Sequence, residues 1–374
     1  MTSTQLRAAP EPARHGPEAA YSVVAAVGTA LGAHRYRQEQ ITSAFGALVV
    51  PDPGRRGLLE RLHAAAGVHT RHLALPLEEY AALDGFTAAN EAFVRVAIDL
   101  GEQAVRAALA AAGLQPGDVD LLMSATVTGV AAPSLDARLV PRLGLREDVK
   151  RIPVFGLGCV AGAAGIARLH DYLVGHPDDV AVLVSVELCS LTVQRDDPST
   201  ANLVASALFG DGAAAVVMVG ARRAAALGLS GPRVLASRSR FYPNTERVMG
   251  WDVGASGFRV VLAASVADVV AEHLGQDVKG FLGDHGVEQA DIVHWVAHPG
   301  GPKVLQAMQQ ALGLPDGALE VTWQSLAAVG NLSSASVLHV LADTIAAAPP
   351  GTGEPAVLLA MGPGFCAELV LLGW

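Results

Sequence analysis

Cysteine is scarce in this sequence of 374 residues. The chain has three cysteines, and no two of them have the spacing of a CxxC motif. This pattern excludes a disulfide framework and a cysteine zinc site, and it is typical of proteins from a reducing compartment. We therefore expect a cytoplasmic protein without a bound metal.

Charged residues are also few. They make up 17% of the chain, the formal net charge is −10, and lysine and arginine form no dense block. Nucleic acids and anionic membranes are bound by basic surfaces, so this composition argues against both. We expect neither as a partner.

Long apolar runs are missing as well. No stretch of the sequence reaches the length of a membrane span without interruption by glycine or charge, so we expect no transmembrane helix. Residues 1–19 are rich in proline, alanine and charge and lack the apolar segment of a signal peptide. They predict a flexible N-terminal tail.

Apolar and small residues are abundant instead, with 51% hydrophobic residues and 40 glycines. Their pattern predicts helix, strand, helix, strand, helix, strand, strand. This order occurs twice, at a spacing of about 170 residues, which is far longer than a solenoid repeat. The sequence therefore predicts an α/β protein of two similar halves related by a pseudo-twofold axis, which we place at 20–230 and 231–374.

The repeat pairs particular residues of the two halves. Gly158-Cys159 precedes a helix of small residues, and Gly330-Asn331 precedes the equivalent helix. The pseudo-twofold axis would make Cys159 and Asn331 face each other, and His298 ends a predicted strand near the same centre. The repeat thus brings a cysteine, a histidine and an asparagine together. The repeat also makes the predicted strand 180–186 equivalent to 356–361 and the predicted strand 212–219 equivalent to 364–371.

These three residue types suit acyl transfer. Cys159 follows an apolar run, 153–155, that predicts a buried strand, and it stands at a helix start, where the dipole and free N–H groups stabilise a thiolate. An imidazolium from His298 would lower the thiol pKa, and N–H groups of Asn331 and His298 would form an oxyanion hole for a thioester. Structural roles are the alternative: a buried helix-start cysteine, a turn histidine and a helix-capping asparagine.

Four motifs carry a resemblance to a known family. They are Gly158-Cys159, Leu-Phe-Gly-Asp-Gly-Ala-Ala-Ala at 208–215, His-Pro-Gly-Gly-Pro at 298–302 and Gly-Asn-Leu-Ser-Ser-Ala-Ser at 330–336. With them the chain resembles, from residue 21 to 374, the chalcone-synthase-like type III polyketide synthases of the thiolase superfamily. The resemblance implies a five-layered α/β/α/β/α fold and a homodimer that acts on acyl-CoA and malonyl-CoA without a cofactor.

The resemblance also implies roles for individual residues. A starter acyl group loads onto Cys159, and His298 and Asn331 stabilise the enolate that forms when malonyl-CoA loses CO2. Phe209 and Phe258 match two gatekeepers between the CoA tunnel and the cavity, with core packing as the alternative. The other implied substrate-binding residues are Thr192, Cys189 and Val127 in the cavity wall, Ala132 where a side chain crosses into the partner subunit, Arg61 and Arg71 at the CoA phosphates, and Gly300 and Gly301 after the histidine.

Some positions depart from the pattern of the plant members. Val127 and Cys189 stand in place of threonines, and Ala132 stands in place of a larger residue. Smaller and more apolar walls suggest room for an aliphatic chain. We therefore expect a fatty acyl starter and an alkylresorcinol or alkylpyrone product. The segments most similar to bacterial synthases of that kind are 154–166, 193–197 and 249–252.

Two other functions stay open. One is a single-condensation enzyme like ketoacyl synthase III that takes its substrate from an acyl-carrier protein, although no basic run is present to dock a carrier. The other is a non-catalytic acyl-CoA-binding protein on the same fold. The presence of Cys159, His298 and Asn331 together argues against the second.

Overall fold

The computed structural model describes residues 21–195, 197–351 and 353–374, so the predicted tail at 1–19 lies outside the described residues. The strands are β1 Ser22–Leu31, β2 His34–Arg37, β3 Thr70–Leu73, β4 Leu121–Thr126, β5 Lys150–Phe155, β6 Val180–Leu188, β7 Asp211–Gly220, β8 Arg233–Phe241, β9 Met249–Gly254, β10 Gly257–Leu262, β11 His294–Ala297, β12 Pro355–Gly362 and β13 Cys366–Gly373. The α-helices are α1 Gln38–Val49, α2 Arg56–Ala64, α3 Gly85–Ala112, α4 Leu135–Leu143, α5 Ala161–Gly175, α6 Thr200–Leu208, α7 Ala221–Leu227, α8 Val266–Asp284, α9 Pro302–Ala311, α10 Glu320–Val329 and α11 Ser336–Ala347. Within these ranges no helix is both long and apolar enough to cross a membrane.

Nine strands form one sheet in the order β11-β12-β13-β8-β1-β7-β6-β4-β5. In one half β6 runs antiparallel to β7 and β7 to β1, and in the other half β12 runs antiparallel to β13 and β13 to β8. The strands β6 and β7 of one half therefore correspond to β12 and β13 of the other half. This matches the predicted equivalence of 180–186 with 356–361 and of 212–219 with 364–371. The two halves meet where β1 pairs with β8 over two residues, Ser22 with Val234 and Val23 with Arg233.

The strands alternate their side chains between two helix layers, as the period of two requires. Along β7, Ala213, Ala215 and Val217 pack in the cluster that contains α3, and Ala214 and Val216 pack in the cluster that contains α5 and α11. In the other half, β12 and β13 divide their side chains in the same way between α5 and α11 on one side and α8 and α9 on the other. The two halves of the sheet therefore form two layers with α5 and α11 between them. The order of layers is helix, sheet, helices, sheet, helix, which confirms the predicted five-layered arrangement.

The central helices α5 and α11 approach each other closely at their N-terminal ends. A Cβ added to Gly162 would lie 2.4 Å from the carbonyl oxygen of Ser334 and 2.7 Å from Cγ1 of Val337. Small residues on α5 therefore let the two helix starts come together, and the turns that precede both helices meet at the centre of the molecule.

The variant Gly162→Ala is expected to lose about 1–3 kcal/mol of unfolding free energy, because a methyl group has no space against the backbone of the facing turn. A matched control is Gly175→Ala at the other end of α5, where an added Cβ meets nothing within 4 Å. Urea unfolding of both variants checks this. Equal stabilities would contradict the close approach of α5 and α11.

Several sequence-based boundaries differ from the structure. The sequence also predicts a helix at 88–112 with Thr87 as its N-cap, but Thr87 lies inside α3, which begins at Gly85 after Asp84. It predicts an irregular region at 221–261 with short strands near 233–237 and 257–262, whereas the structure has α7, the nine-residue β8 and the β9–β10 hairpin there. The helix α10 was not predicted.

The strand before the cysteine is exposed, so its prediction as a buried strand was wrong. Ile152 and Phe155 on β5 are 39% and 51% exposed. The physical reason is that β5 lies at the edge of the sheet and pairs with β4 alone. An apolar run does not by itself distinguish an edge strand from a central one.

Candidate active site

Cys159 lies in a 3-10 turn, Gly158–Val160, between β5 and α5. Gly158 has φ of 55°, and a Cβ there would lie 2.8 Å from the ring of Pro363. The thiol is 6% exposed, and its Sγ donates a hydrogen bond to Oγ of Ser333 at 3.7 Å. The structure thus places the cysteine at a helix start, as predicted, and against the turn that precedes α11.

Asn331 follows α10 and is nearly inaccessible, with 2% of its surface exposed. Its Oδ1 accepts hydrogen bonds from the backbone N–H of Ser333 at 2.8 Å and from Oγ of Ser336 at 3.4 Å. These contacts fix the orientation of the amide, because its oxygen is already committed. The amide NH2 is then the group that can donate to a substrate oxygen.

The backbone of Asn331 pairs with the segment that carries Phe209. The Asn331 N–H donates to the carbonyl of Leu208 at 2.8 Å, and the Gly210 N–H donates to the carbonyl of Asn331 at 3.0 Å. A Cβ at Gly330 would lie 2.6 Å from the Leu208 oxygen. Two of the motifs singled out in the sequence are therefore joined by a short parallel bridge.

His298 follows β11 and is 3% exposed. The backbone N–H of His298 donates to the carbonyl of Leu359 on β12, and the backbone N–H of Gly300 donates to the His298 carbonyl. Gly301 has φ of 131° and contacts the side chain of Leu208, next to the bridge to Asn331. Neither ring nitrogen of His298 has a hydrogen-bond partner in the part of the chain that the structure describes.

Burial disfavours the charged forms of both side chains. It raises the pKa of Cys159 to about 12 and lowers the pKa of His298 to about 3. Among the described residues no hydrogen bond joins the two side chains. The expectation that an imidazolium lowers the thiol pKa is therefore not met here.

A buried carboxylate beside this centre was missed by the sequence reasoning. Glu187 is fully buried on β6, and its Oε1 accepts from Oγ of Ser334 at 2.6 Å. Its Oε2 accepts from Oγ1 of Thr128 at 2.8 Å and from the N–H of Val127 at 3.1 Å. Burial raises its pKa. A single carboxylate in an otherwise apolar strand was the signal that could have identified it, because isolated buried charges are rare.

The predicted wall residues Cys189 and Thr192 lie in one 3-10 turn, where Thr192 Oγ1 donates to the Cys189 carbonyl at 2.8 Å. Asp211 holds this turn, because its carboxylate accepts from the N–H and the hydroxyl of Ser190. Burial raises the pKa of Asp211 to about 6. Its place in the Phe-Gly-Asp-Gly motif was noted in the sequence, but this supporting role was not.

The space between the wall residues is narrow. Cys189, Thr192 and Phe209 line a cavity of about 10 Å³ together with Trp251. A cavity of this size holds about one water molecule. Phe209 and Trp251 line this space together with the small wall residues, and its volume gives no support at this point to the expected room for an aliphatic chain.

Phe258 lies on β10, is 3% exposed, and belongs to an aromatic cluster. Its ring centroid is 5.4 Å from that of Phe86, 6.1 Å from that of Phe155 and 6.2 Å from that of Trp251. Trp251 also lines the cavity beside Phe209, so it links the two candidate gatekeepers. Their gatekeeping role stays a prediction.

Ala132 and Arg61 are both exposed. Ala132 is exposed in the segment between β4 and α4. Exposed Val130, Leu157 and Phe155 form an apolar surface on that side of the sheet. Arg61 is exposed on α2, which is compatible with a contact to a CoA phosphate.

Arg71 is a correction to the sequence prediction. Its side chain is fully buried, and it donates from Nε to Oε1 of Gln38 and from Nη1 to the carbonyls of Ser206 and Phe209. A CoA phosphate in solvent cannot reach it. The prediction failed because its position just beyond α2 says nothing about the direction of the side chain, which β3 turns inward.

Three of the four histidines that are buried among the described residues have strongly lowered pKa values, and they make the stability depend on pH. Burial lowers the pKa of His63 and His298 to about 3 and that of His339 to about 4, against about 6.5 in the unfolded chain. Below pH 6.5 the unfolded chain therefore binds protons that the folded chain does not, and stability falls as pH falls. Asp211, whose pKa is raised, has the opposite effect on stability. Between pH 6 and 4 the folded chain binds one proton at Asp211 that the unfolded chain does not bind.

These four groups predict a net loss of about 3 kcal/mol of unfolding free energy per pH unit between pH 6 and 4, at about 1.4 kcal/mol per proton. Urea unfolding at pH 6, 5 and 4 measures it. The variant His339→Gln, which cannot gain a charge, should have a slope shallower by one proton. A stability that does not change over this range would contradict the burial of neutral histidines.

The chain is similar to known proteins along nearly its whole length. Models of chalcone and stilbene synthases match residues 12–222 with the N-terminal domain and residues 233–373 with the C-terminal domain. A 1,3,6,8-tetrahydroxynaphthalene synthase of Streptomyces peucetius subsp. caesius is 60% identical over 351 residues, which cover 94% of this chain and 93% of that protein. The alpha-pyrone synthesis polyketide synthase-like Pks18 of Mycobacterium tuberculosis is 30% identical over 330 residues, which cover 86% and 83% of the two chains.

Solved structures show the same likeness. The crystal structure of 1,3,6,8-tetrahydroxynaphthalene synthase from Streptomyces coelicolor A3(2), a bacterial type III polyketide synthase, superposes with a TM-score of 0.87 at 30% identity. The match covers 94% of this chain and 99% of that one. The fold and the motifs found in the sequence therefore point to the same group of enzymes.

Proposed function

The chain belongs to the chalcone and stilbene synthase family, and from this premise we propose that it builds a polyhydroxylated naphthalene from malonyl-CoA. As a type III polyketide synthase it is an acyltransferase that acts on CoA thioesters without a cofactor. The observation that carries the proposal is the 60% identity to a 1,3,6,8-tetrahydroxynaphthalene synthase over 94% of the chain.

The chemistry of that product argues for a short starter. A tetrahydroxynaphthalene has no alkyl side chain, and its hydroxyl groups stand at alternating carbons, as two-carbon extension units leave them. A fatty acyl starter would remain on the product as an alkyl substituent. Malonyl-CoA as starter and extender is the simplest source.

In the proposed cycle, Cys159 attacks the starter thioester, its sulfur takes the acyl group, and CoA leaves as the thiol. His298 accepts the proton of Cys159 and returns a proton to the departing CoA sulfur. The amide NH2 of Asn331, held in orientation by Ser333 and Ser336, donates to the enolate oxygen that forms as malonyl-CoA loses CO2. The enolate carbon then attacks the carbonyl carbon of the Cys159 thioester, the C–S bond to Cys159 breaks, and the extended chain remains on the CoA of the extender while Cys159 leaves as the thiolate.

A fatty acyl starter with an alkylresorcinol or alkylpyrone product is the second candidate. The segments noted in the sequence and the 30% identity to an alpha-pyrone synthesis polyketide synthase-like protein support it. It would require the side chains around Cys189, Thr192 and Phe209 to move apart. Single condensation from an acyl-carrier protein is weaker, because the family match lies with the chalcone and stilbene synthases.

We also propose that the enzyme is a cytoplasmic homodimer. The apolar residues Val130, Phe155 and Leu157 are exposed on the side of the edge strand β5, and exposed apolar surfaces of this kind mark interfaces. Ala132, expected to cross toward the partner subunit, is exposed near them. Analytical ultracentrifugation at micromolar concentration tests this, and a monomer would contradict it.

Product analysis tests the proposed function. The purified enzyme is incubated with malonyl-CoA alone, and in parallel with malonyl-CoA plus a panel of acetyl-, hexanoyl- and dodecanoyl-CoA, and the products are identified by mass spectrometry. We expect a tetrahydroxynaphthalene from malonyl-CoA alone. Products that form only with dodecanoyl-CoA and carry its chain would favour the second candidate. No product from any combination would overturn both.

A further inference from the structure

The C-terminal end of α6 has an unusual set of partners. The last carbonyls of a helix have no partner within it and must find one elsewhere. Here the carbonyl of Ser206 accepts from Arg71 at 2.8 Å, that of Ala207 from Gln38 at 2.9 Å, that of Leu208 from the Asn331 N–H at 2.8 Å, and that of Phe209 again from Arg71 at 2.8 Å. Four successive carbonyls are thus held by one arginine, one glutamine and the backbone of the candidate catalytic asparagine.

The aliphatic part of Arg71 touches the other side of the same bridge. A Cβ on Gly330 would lie 3.2 Å from both Cγ and Cδ of Arg71, and a Cβ on Gly210 would lie 3.7 Å from Cγ. The stem of Arg71 therefore occupies the space beside the residue before Asn331 and the residue after Phe209. The guanidinium holds one segment of the bridge, and the stem lies beside both.

The geometry of this contact requires arginine. The planar guanidinium directs Nη1 to the carbonyls of Ser206 and Phe209 while Nε donates to Gln38, a fork that a lysine ammonium cannot reproduce. The positive charge lies at the negative end of the α6 dipole, where it is favoured. Asp211 lies near enough to attract it as well. These interactions offset part of the cost of burying the cation, whose Nη2 has no hydrogen-bond partner among the described residues.

We infer that Arg71 is a positioning residue that sets Asn331 and Phe209 for decarboxylation and condensation by holding the end of α6 and the bridge beside it. The inference rests on the roles proposed above for Asn331 and Phe209. Arg71 acts through the backbone and does not touch the thiol of Cys159, whose turn is held by Ser333. Its loss should therefore affect the steps that use Asn331 more than the acylation of Cys159.

The test compares the variant Arg71→Lys with the matched control Arg222→Lys, an exposed arginine paired with Asp178. Two steps are measured separately, namely acylation of Cys159 by intact mass in a single turnover and release of CO2 from malonyl-CoA. We expect Arg71→Lys to lose about 10²-fold in decarboxylation, the size of effect that a misplacement of about 1 Å produces. Acylation should change little, and the control should match the wild type.

A merely stabilising role would give another result. Both steps would then fall together, in proportion to the folded fraction measured by circular dichroism. That outcome, or unchanged decarboxylation, would overturn the inference. Hydrogen exchange adds a direct readout, because the N–H groups of Gly210 and Asn331 lie in the bridge. In Arg71→Lys we expect faster exchange in the peptides that contain them, with no change in the peptide of β4.

If Arg71→Lys does not fold, the variant Gln38→Met takes its place. It removes the side-chain oxygen that accepts from Nε of Arg71 and the amide that donates to the Ala207 carbonyl, but it leaves the arginine. We expect the same selective loss with a smaller size, and an equal loss in both steps would overturn the inference. The variant Asn331→Ala separates the two proposals. If it retains decarboxylation, the proposed role of Asn331 fails. If it loses decarboxylation while Arg71→Lys keeps it, the positioning role alone fails.

Discussion

The variant Cys159→Ala is expected to form no acyl-enzyme and to lose product formation by about 10⁴-fold or more, because the atom that carries the growing chain is absent. Its folding should be nearly unchanged, since the thiol makes one weak hydrogen bond, to Ser333. Intact mass spectrometry after incubation with acyl-CoA, together with product analysis, measures both effects.

The matched control for this prediction is Cys366→Ala. Cys366 is a half-buried thiol at the start of β13 that donates to the carbonyl of Pro363 at 3.2 Å. The variant Cys366→Ala should load acyl groups as the wild type does. An acyl adduct that persists in Cys159→Ala and disappears in Cys366→Ala would transfer the nucleophile to the other thiol and refute the site described here.

The second large effect is expected at Asn331. The variant Asn331→Asp keeps an oxygen that can accept from Ser333 and Ser336, and it replaces the donating NH2 by an acceptor. We expect decarboxylation of malonyl-CoA to fall by about 10²–10³-fold, the usual loss when one donor to a developing oxyanion is removed. Acylation of Cys159 should continue, because that step depends on the thiol and on His298.

Release of CO2 from malonyl-CoA, measured beside acyl loading in the same preparation, checks this prediction. Asn331→Ala serves as the comparison, since it removes donor and acceptor together and should lose at least as much. Decarboxylation within tenfold of the wild type in Asn331→Asp would mean that the amide NH2 is not the donor. The role of the bridge to Phe209 would then need another explanation.

Local patterns were sufficient to predict many elements. Periodicity and flanking turns, which lie within a few residues, predict a strand at 121–126 and helices at 135–143 and 200–208. The structure has β4, α4 and α6 at these bounds, Leu121–Thr126, Leu135–Leu143 and Thr200–Leu208. The repeat was also sufficient to bring Cys159 and the segment of Asn331 to one centre, since equivalent helices in equivalent halves must meet at the pseudo-twofold axis.

What failed depends on residues that are distant in sequence. Phe155 is exposed because β5 has a neighbour on one side only, and no pattern within β5 contains that fact. Arg71 points inward because its partners, Ser206 and Phe209, lie more than a hundred positions away. The shifted pKa values of Cys159 and His298 likewise result from burial, which is a property of the folded molecule.

The composition of the wall illustrates the same limit. Small residues at Val127 and Cys189 suggested space for an aliphatic chain, but Trp251 and Phe209 from other segments also line the space beside Cys189. The volume of a cavity is set by all the side chains that surround it. The proposed starter therefore rests on the comparison with relatives and not on the wall residues.

The most direct test of the account is the intact mass of the enzyme after incubation with malonyl-CoA as the sole substrate, for wild type and Cys159→Ala. The account predicts a short acyl adduct on Cys159 in the wild type, none in the variant, and a naphthalene product without any added starter. An enzyme that is acylated and releases product only after a long-chain acyl-CoA is supplied would contradict it.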